Sequence, residues 1–319
     1  MQYLKVHDLK LSRMGLGCWT MGGKSWNNGY ASGWSDVNEI DIREAILFAI
    51  DQGVRHFDNA DCYGNGQSEK MLGRTLGNFK YNVTIASKVG YIKNEYKHAY
   101  TAKNIRKQCE KSLKNIKRDY LDLYYFHHGN FDKNDCYLDE AMAEMVKLKD
   151  EGKIREIGLS AYSTKDFLRL VPKIKPSIIQ AWAHMMDDKF VRNKTLVRQM
   201  IDKYNLGFVA FSPLNQGLLT GKYFAEIPPI FDAGDHRRSQ QKFTQESLEI
   251  LQPKLEKIKT KFKNKSLTQV AIQYLLANPS VSSIIPGFRN KAQVAANLIA
   301  VETRTLNDKE LQFIRKTFD

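Results

Sequence analysis

Cysteine is scarce in this chain of 319 residues: four, at 18, 62, 109 and 136, with no Cys-x-x-Cys pair and no histidine at zinc spacing. That excludes a disulfide framework or a zinc finger as the organising device, and reads as reduced thiols in a cytoplasmic protein. No metal site is expected. Long apolar runs are also missing, the longest being the six residues from Ala45 to Ile50. A bilayer needs about 20, so no membrane partner is expected. The opening residues, Met1-Gln2-Tyr3-Leu4-Lys5-Val6-His7-Asp8, contain no apolar segment of the secretory type. No Pro/Gly/Ser-rich linker interrupts the chain, which is therefore expected to form a single domain over residues 1–319.

Acidic residues are the minority, 35 against 49 Lys and Arg, for a formal charge of +14. A field of that sign attracts polyanions or phosphorylated small molecules. The excess is dispersed, however. The lysines at 254, 257, 259, 261, 263 and 265 coat the wet side of a helix whose dry side is Leu251, Leu255, Ile258 and Phe262. No RNA-binding signature or zinc finger accompanies them, so no nucleic-acid partner is expected. The charge gives only a mild leaning towards anionic carbonyl compounds.

What is abundant is alternation. After a possible hairpin (Tyr3–Val6 with Leu9–Arg13), short β-branched or aromatic runs fall near Gly15–Cys18, Arg55–Asn59, Val83–Val89, Leu121–His127, Glu156–Ser160, Ser177–Trp182, Gly207–Ser212 and Ser282–Pro286. Helical patterns fill the gaps: Val37–Gln52, Ser68–Leu76, Thr101–Ile116, Leu138–Glu151, Thr164–Val171, Asn193–Tyr204, Ser266–Asn278 and Lys291–Ala300. Strands alternating with helices imply right-handed βαβ crossovers and a parallel sheet. Eight such units predict an α/β fold, a (β/α)8 TIM barrel. Additional helices are expected between the seventh strand and its helix and at the C-terminus. A doubly wound sheet is the alternative, but Gly15-Leu16-Gly17 lacks the third glycine of its usual fingerprint.

In a barrel, chemistry sits at the C-terminal ends of the strands. There the sequence places Cys18-Trp19-Thr20, Asp58 with Tyr63 five residues on, Lys88, His127, Ser160, Gln180, Phe211-Ser212-Pro213 and Pro286-Gly287-Phe288-Arg289. Asp58, Lys88 and Tyr63 together have a physical logic. A buried lysine needs a countercharge, which Asp58 supplies, and an ammonium beside a phenol is expected to lower its pKa from about 10. Tyr63 then serves as general acid and base towards a carbonyl oxygen. His127 offers a second donor to that oxygen; it shares strand parity with Leu121, Leu123 and Tyr125, which favours it over the neighbouring His128.

These residues also carry a resemblance. The run from His56 to Gly73, with Asp58-Asn59-Ala60-Asp61-Cys62-Tyr63-Gly64-Asn65-Gly66-Gln67-Ser68-Glu69 at its heart, resembles a signature of the aldo-keto reductase family. Ala86-Ser87-Lys88-Val89, Leu121 to His127, Phe211 to Lys222, and Ile285-Pro286-Gly287-Phe288-Arg289 with Gln293 and Asn297 resemble four further motifs, in the same order. The resemblance implies reduction of aldehydes or ketones with NADP(H), with Asp58, Tyr63, Lys88 and His127 as the catalytic tetrad. It implies that Gly17, Cys18 and Trp19 line the nicotinamide, that Ser160 and Gln180 hold its carboxamide, and that Phe211 stacks on its ring. Ser212, Pro213, Leu214, Gly217, Leu219 and Lys222 would meet the diphosphate, and Gly287, Arg289, Gln293 and Asn297 the adenosine end. Three positions depart from the pattern: Ala161 stands where asparagine is common, Phe211 where tyrosine is, and Gln216 where arginine is frequent. A second implied role is an NADP(H)-binding regulatory subunit of a channel-like partner.

Overall fold

In the computed structural model, which describes residues 1–27, 29–35, 37–303 and 305–319, the chain opens as an antiparallel hairpin. Strands β1 (Tyr3–Val6) and β2 (Leu9–Ser12) pair from Tyr3↔Ser12 to Val6↔Leu9. Eight parallel strands follow: β3 (Leu16–Gly17), β6 (His56–Asp58), β7 (Thr84–Val89), β8 (Leu121–Phe126), β9 (Ile154–Ser160), β10 (Ile178–Trp182), β11 (Gly207–Phe211) and β12 (Ser283–Ile285). They pair in sequence order from β3 to β12. The remaining seam is closed by parallel bridges Met14↔Ile284 and Gly17↔Gly287, with Gly17 N donating to Pro286 O at 3.0 Å. The fold is the expected (β/α)8 barrel.

Strand β8 shows why a continuous apolar run forms a strand here. All six of its residues are buried, as a parallel strand covered on both faces requires. Alternate positions Leu123 and Tyr125 join Ala86, Ile178, Val209 and Ile285 inside the barrel, where Leu9 and Leu11 of the hairpin pack beneath them. The hairpin thus plugs the bottom of the barrel. Leu121, which parity placed inside, packs instead in the outer layer with the helices.

Among the described residues the helices are α1 (Glu39–Asp51), α2 (Gln67–Leu76), α3 (Ala102–Ile116), α4 (Leu138–Asp150), α5 (Thr164–Ile174), α6 (Leu196–Tyr204), α7 (Gln245–Lys261), α8 (Leu267–Leu276), α9 (Lys291–Glu302) and α10 (Asp308–Phe318). The additional helices are α7 and α10. Their boundaries follow local chemistry: capping boxes open α8 (Ser266 with Gln269) and α10 (Asn307 with Glu310). Two details differ from expectation. Helix α5 runs through Pro172 to Ile174, the proline falling in its last turn. A small ribbon, β4 (Trp26–Asn27) against β5 (Tyr30–Ala31), occupies the first strand-to-helix loop. No helix among the described residues is long and apolar enough to cross a membrane.

Candidate active site

Strand β6 delivers Asp58 to the top of the barrel and the chain then turns sharply before α2. The turn, Tyr63–Gly66, carries Gly64 at φ 57° and Gly66 at φ 92°. A Cβ on Gly64 would lie 2.1 Å from Gly22 O, so only glycine lets this turn press onto the neighbouring turn Cys18–Gly22. That contact sets the Tyr63 ring beside Trp19, with centroids 6.0 Å apart and planes at 24°.

Lys88, from β7, is fully buried beneath them. Its Nζ forms an ion pair with Asp58 Oδ1 and donates to Asn59 O at 2.7 Å and to Tyr63 Oη at 3.3 Å. The phenol oxygen therefore accepts from the ammonium, which leaves its own hydrogen to point elsewhere. Asp58 Oδ2 accepts from Gln180 Nε2 at 2.7 Å. His127 is 5% exposed and meets the Tyr63 ring edge-on at 5.8 Å. Its neighbour His128 faces the wall, with its Nε2 2.8 Å from Gly90 O. Of the two, His127 lines the cavity.

The electrostatics correct one expectation. Tyr63 is not pulled towards phenolate by Lys88: burial first, and then the Asp58 carboxylate, hold its phenol well above the usual range. The same carboxylate that compensates the ammonium offsets its effect on the phenol. His127 moves the other way, held well below the usual imidazole range by burial and by Lys88. At neutral pH the phenol thus carries its proton and the imidazole is uncharged. A protonated phenol is the state a proton donor needs.

Asp58, Tyr63 and His127 stand in the wall of a cavity of about 1020 Å³, with Lys88 behind them. Gly17, Cys18, Trp19, Asp58, Ser160, Gln180, Phe211, Ser212, Pro213, Leu214, Gly217, Lys222, Gly287, Arg289, Gln293 and Asn297 all line it. Leu219 does not: it is fully buried in the core, because the turn Asn215–Thr220 directs it inward. Gln180 faces the cavity with its amide nitrogen already engaged by Asp58, leaving Oε1 as its available group. Ala161 is fully buried off the cavity wall, so position 161 presents nothing to a ligand.

The loop after β11 coils tightly, with positive φ at Ser212, Asn215, Gln216 and Gly217. The backbone N–H groups of Asn215 and Gly217 are taken up inside the loop, by Ser212 O at 2.8 Å and Leu214 O at 2.9 Å, which fixes its shape. Gly217, at φ 97°, has Lys222 Cε only 3.0 Å from where a Cβ would stand. On the far side, Asn290 caps α9 by accepting from Gln293 N at 3.0 Å, while Gln293 Oε1 accepts from Arg289 N.

Several wall residues lay outside the sequence reading. Trp34 lies under two guanidinium groups, Arg237 at 4.5 Å and Arg289 at 5.7 Å from its ring. Lys242 donates to Asn215 Oδ1 at 2.8 Å and is pushed down to about 8 by burial. Tyr91 and Tyr162 share a hydrogen bond at 3.1 Å, and Tyr162 stacks on Trp182. The cavity is consequently two-sided. Its cations, Lys222, Arg237, Lys242 and Arg289, come from segments following β11 and β12, whereas the wall from β6 to β10 contributes no lysine or arginine.

The family model described as the aldo/keto reductase family matches residues 13–318. The chain is similar to an L-galactose dehydrogenase of Arabidopsis thaliana, 29% identical over 92% of this chain and 85% of the relative. It is also similar to an aldo-keto reductase of Schizosaccharomyces pombe whose name carries NADP(+), 29% identical over 88% and 83% of the two chains. Among solved structures, the glycerol dehydrogenase of Gluconobacter oxydans superposes with a TM-score of 0.80 at 25% identity, over 99% of this chain and 94% of that one. The match extends over the whole barrel and includes each segment that builds the cavity, and the chain accordingly belongs to the aldo/keto reductase family.

Proposed function

We propose that the protein reduces aldehydes or ketones to alcohols with NADPH, Tyr63 serving as general acid. The observation that carries the reading is the Lys88 arrangement: a buried ammonium, paired with Asp58, donating to the oxygen of a protonated phenol on the cavity wall.

The residues fit the cofactor on two counts, and a relative's name agrees with them. Lys222, against Gly217 on the cavity wall, offers a cation to a diphosphate. Asn297, 2% exposed on the cavity wall, has an Nδ2 without a hydrogen-bond partner among the described residues, as a group awaiting a ligand acceptor would. The relative from Schizosaccharomyces pombe bears NADP(+) in its name. Ser160 and Gln180 Oε1 would hold the carboxamide, Phe211 would stack on the nicotinamide, and Arg289 with Gln293 and Asn297 would hold the adenosine end. When bound, the dinucleotide supplies hydride to the carbonyl carbon.

The chain's own residues supply the rest. Tyr63 gives its phenolic hydrogen to the oxygen that becomes the alcohol, and Lys88, already donating to the phenol oxygen, steadies the phenolate left behind. Asp58 keeps that ammonium in place. His127, uncharged, donates a hydrogen bond that orients the carbonyl. Trp19 and the aromatic wall of Tyr91, Tyr162 and Trp182 exclude water and offer apolar surface. The lining cations lie on the side proposed for the dinucleotide, which supports uncharged carbonyl compounds as the substrates. The test is a panel of neutral, carboxylated and phosphorylated carbonyls followed by loss of NADPH absorbance. Neutral compounds turn over best; a marked preference for anionic ones would refute the assignment of the two sides.

A further inference from the structure

We infer that Cys62 is a positioning residue for His127: its thiol hydrogen, donated to Nδ1, fixes the imidazole in the tautomer that carries hydrogen on Nε2. The inference rests on the proposed reductase reading for its kinetic consequence alone.

A neutral imidazole has one donor and one acceptor nitrogen, and the hydrogen bond at one decides the role of the other. The His127 ring makes one such bond with the described residues, Nδ1 to Cys62 Sγ at 3.8 Å. Its Nε2 is not among the sealed, unpartnered polar atoms and opens on the cavity. If Nδ1 bore the hydrogen, Nε2 would present a lone pair to the carbonyl oxygen and repel it. If the thiol donates to Nδ1, Nε2 becomes a donor aimed at that oxygen. Burial and the neighbouring Asp61 carboxylate keep the Cys62 thiol well above its usual range, so the sulfur holds its hydrogen and is the partner able to donate.

The surroundings leave no rival for this role. Asp61 has one carboxylate oxygen within 4.8 Å of both the sulfur and a His127 ring nitrogen, yet both its oxygens are without partners among the described residues, so it bonds neither. A divalent ion shared by the three groups is a poor alternative. The positive charge of Lys88 bears on Asp61, Cys62 and His127 alike. A shared proton suits the site better than a shared cation.

The test is a long-range proton–nitrogen correlation spectrum of the 15N-histidine-labelled protein, recorded without cofactor or carbonyl, with His127 assigned by its loss in His127→Asn. The wild type and Cys62→Ser, which keeps a donor, show a pyridine-type Nδ1 and a pyrrole-type Nε2; Cys62→Ala shows both nitrogens shifted towards a tautomer mixture. Because one neutral hydrogen bond contributes about 0.5–1.5 kcal/mol, Cys62→Ala lowers kcat/KM roughly two- to tenfold and Cys62→Ser restores it. A pyrrole-type Nδ1 in the wild type, a Cys62→Ala spectrum identical to wild type, or unchanged kcat/KM despite a tautomer mixture would each overturn the inference. The expected spectra from a protein that reduces no carbonyl would refute the reductase reading and leave the tautomer assignment standing.

Discussion

Asp58→Asn should be among the costliest single substitutions in the protein, and the reason lies in what it leaves behind. Lys88 is fully buried and Asp58 is 1% exposed. With Asp58 neutralised, the ammonium retains two uncharged acceptors, Asn59 O at 2.7 Å and Tyr63 Oη at 3.3 Å, and no countercharge. Removing one partner of a buried pair costs about 3–5 kcal/mol, while replacing both with apolar groups of similar volume is often close to neutral. The expected pattern is therefore non-additive: Asp58→Asn loses about 3–5 kcal/mol, and adding Lys88→Met to it recovers most of the loss. Urea denaturation followed by circular dichroism measures both variants against the parent. If Asp58→Asn stays within about 1 kcal/mol of the parent, or the second substitution deepens the loss, then the ammonium is not held by this carboxylate in the way described.

Three further outcomes follow from named groups. Arg289→Met should weaken NADPH by about ten- to a hundredfold and leave NADH nearly unchanged, since a charge-assisted phosphate contact contributes roughly 1.5–3 kcal/mol; equal weakening of both cofactors would place the 2′-phosphate elsewhere. Lys242, pushed down to about 8 by burial, loses its charge as the pH rises through that value. NADPH affinity should therefore fall several-fold between pH 7 and 9, and Lys242→Met should abolish that dependence, as isothermal titration at the two pH values would show. His56 and His184, lowered to about 4 by burial, are uncharged in the native state but accept protons near 6.5 once unfolded. Stability is then retained above pH 6.5 and lost on acidification at about 1.4 kcal/mol per pH unit for each histidine, down to about pH 4; urea midpoints that do not move between pH 6.5 and 4.5 would contradict this.

Local pattern carries the barrel, because strands such as β7 and β8 are buried on both faces and helices such as α3 and α10 keep a wet side. Strand ends then pointed to Asp58, Lys88 and His127 without any knowledge of contacts. What the pattern could not convey was pairing between distant segments. Gln180 was correctly turned towards the cavity, but its bond to Asp58, 122 residues away, has no sequence signal. The same holds for Trp34 beside Arg237 and Arg289, and for Lys242 against Asn215: loops without periodicity bring them together. The error over Tyr63 has a similar origin. The charge of Lys88 was legible, whereas the depth of burial and the nearness of Asp58 to the phenol were not. Cys62 reads as an ordinary small residue until the fold places its sulfur against a histidine 65 positions later.

The most direct measurement pairs two readings on one variant, Tyr63→Phe: carbonyl reduction by NADPH absorbance, and cofactor affinity by the fluorescence of Trp19, Trp34 and Trp182 on the cavity wall. The phenolic hydrogen is needed only as the carbonyl oxygen gains charge. Its removal should accordingly cost about a hundredfold or more in kcat and leave the NADPH dissociation constant within about twofold. Activity within a few-fold of the parent, with cofactor binding intact, would contradict the assignment of Tyr63 as the proton donor.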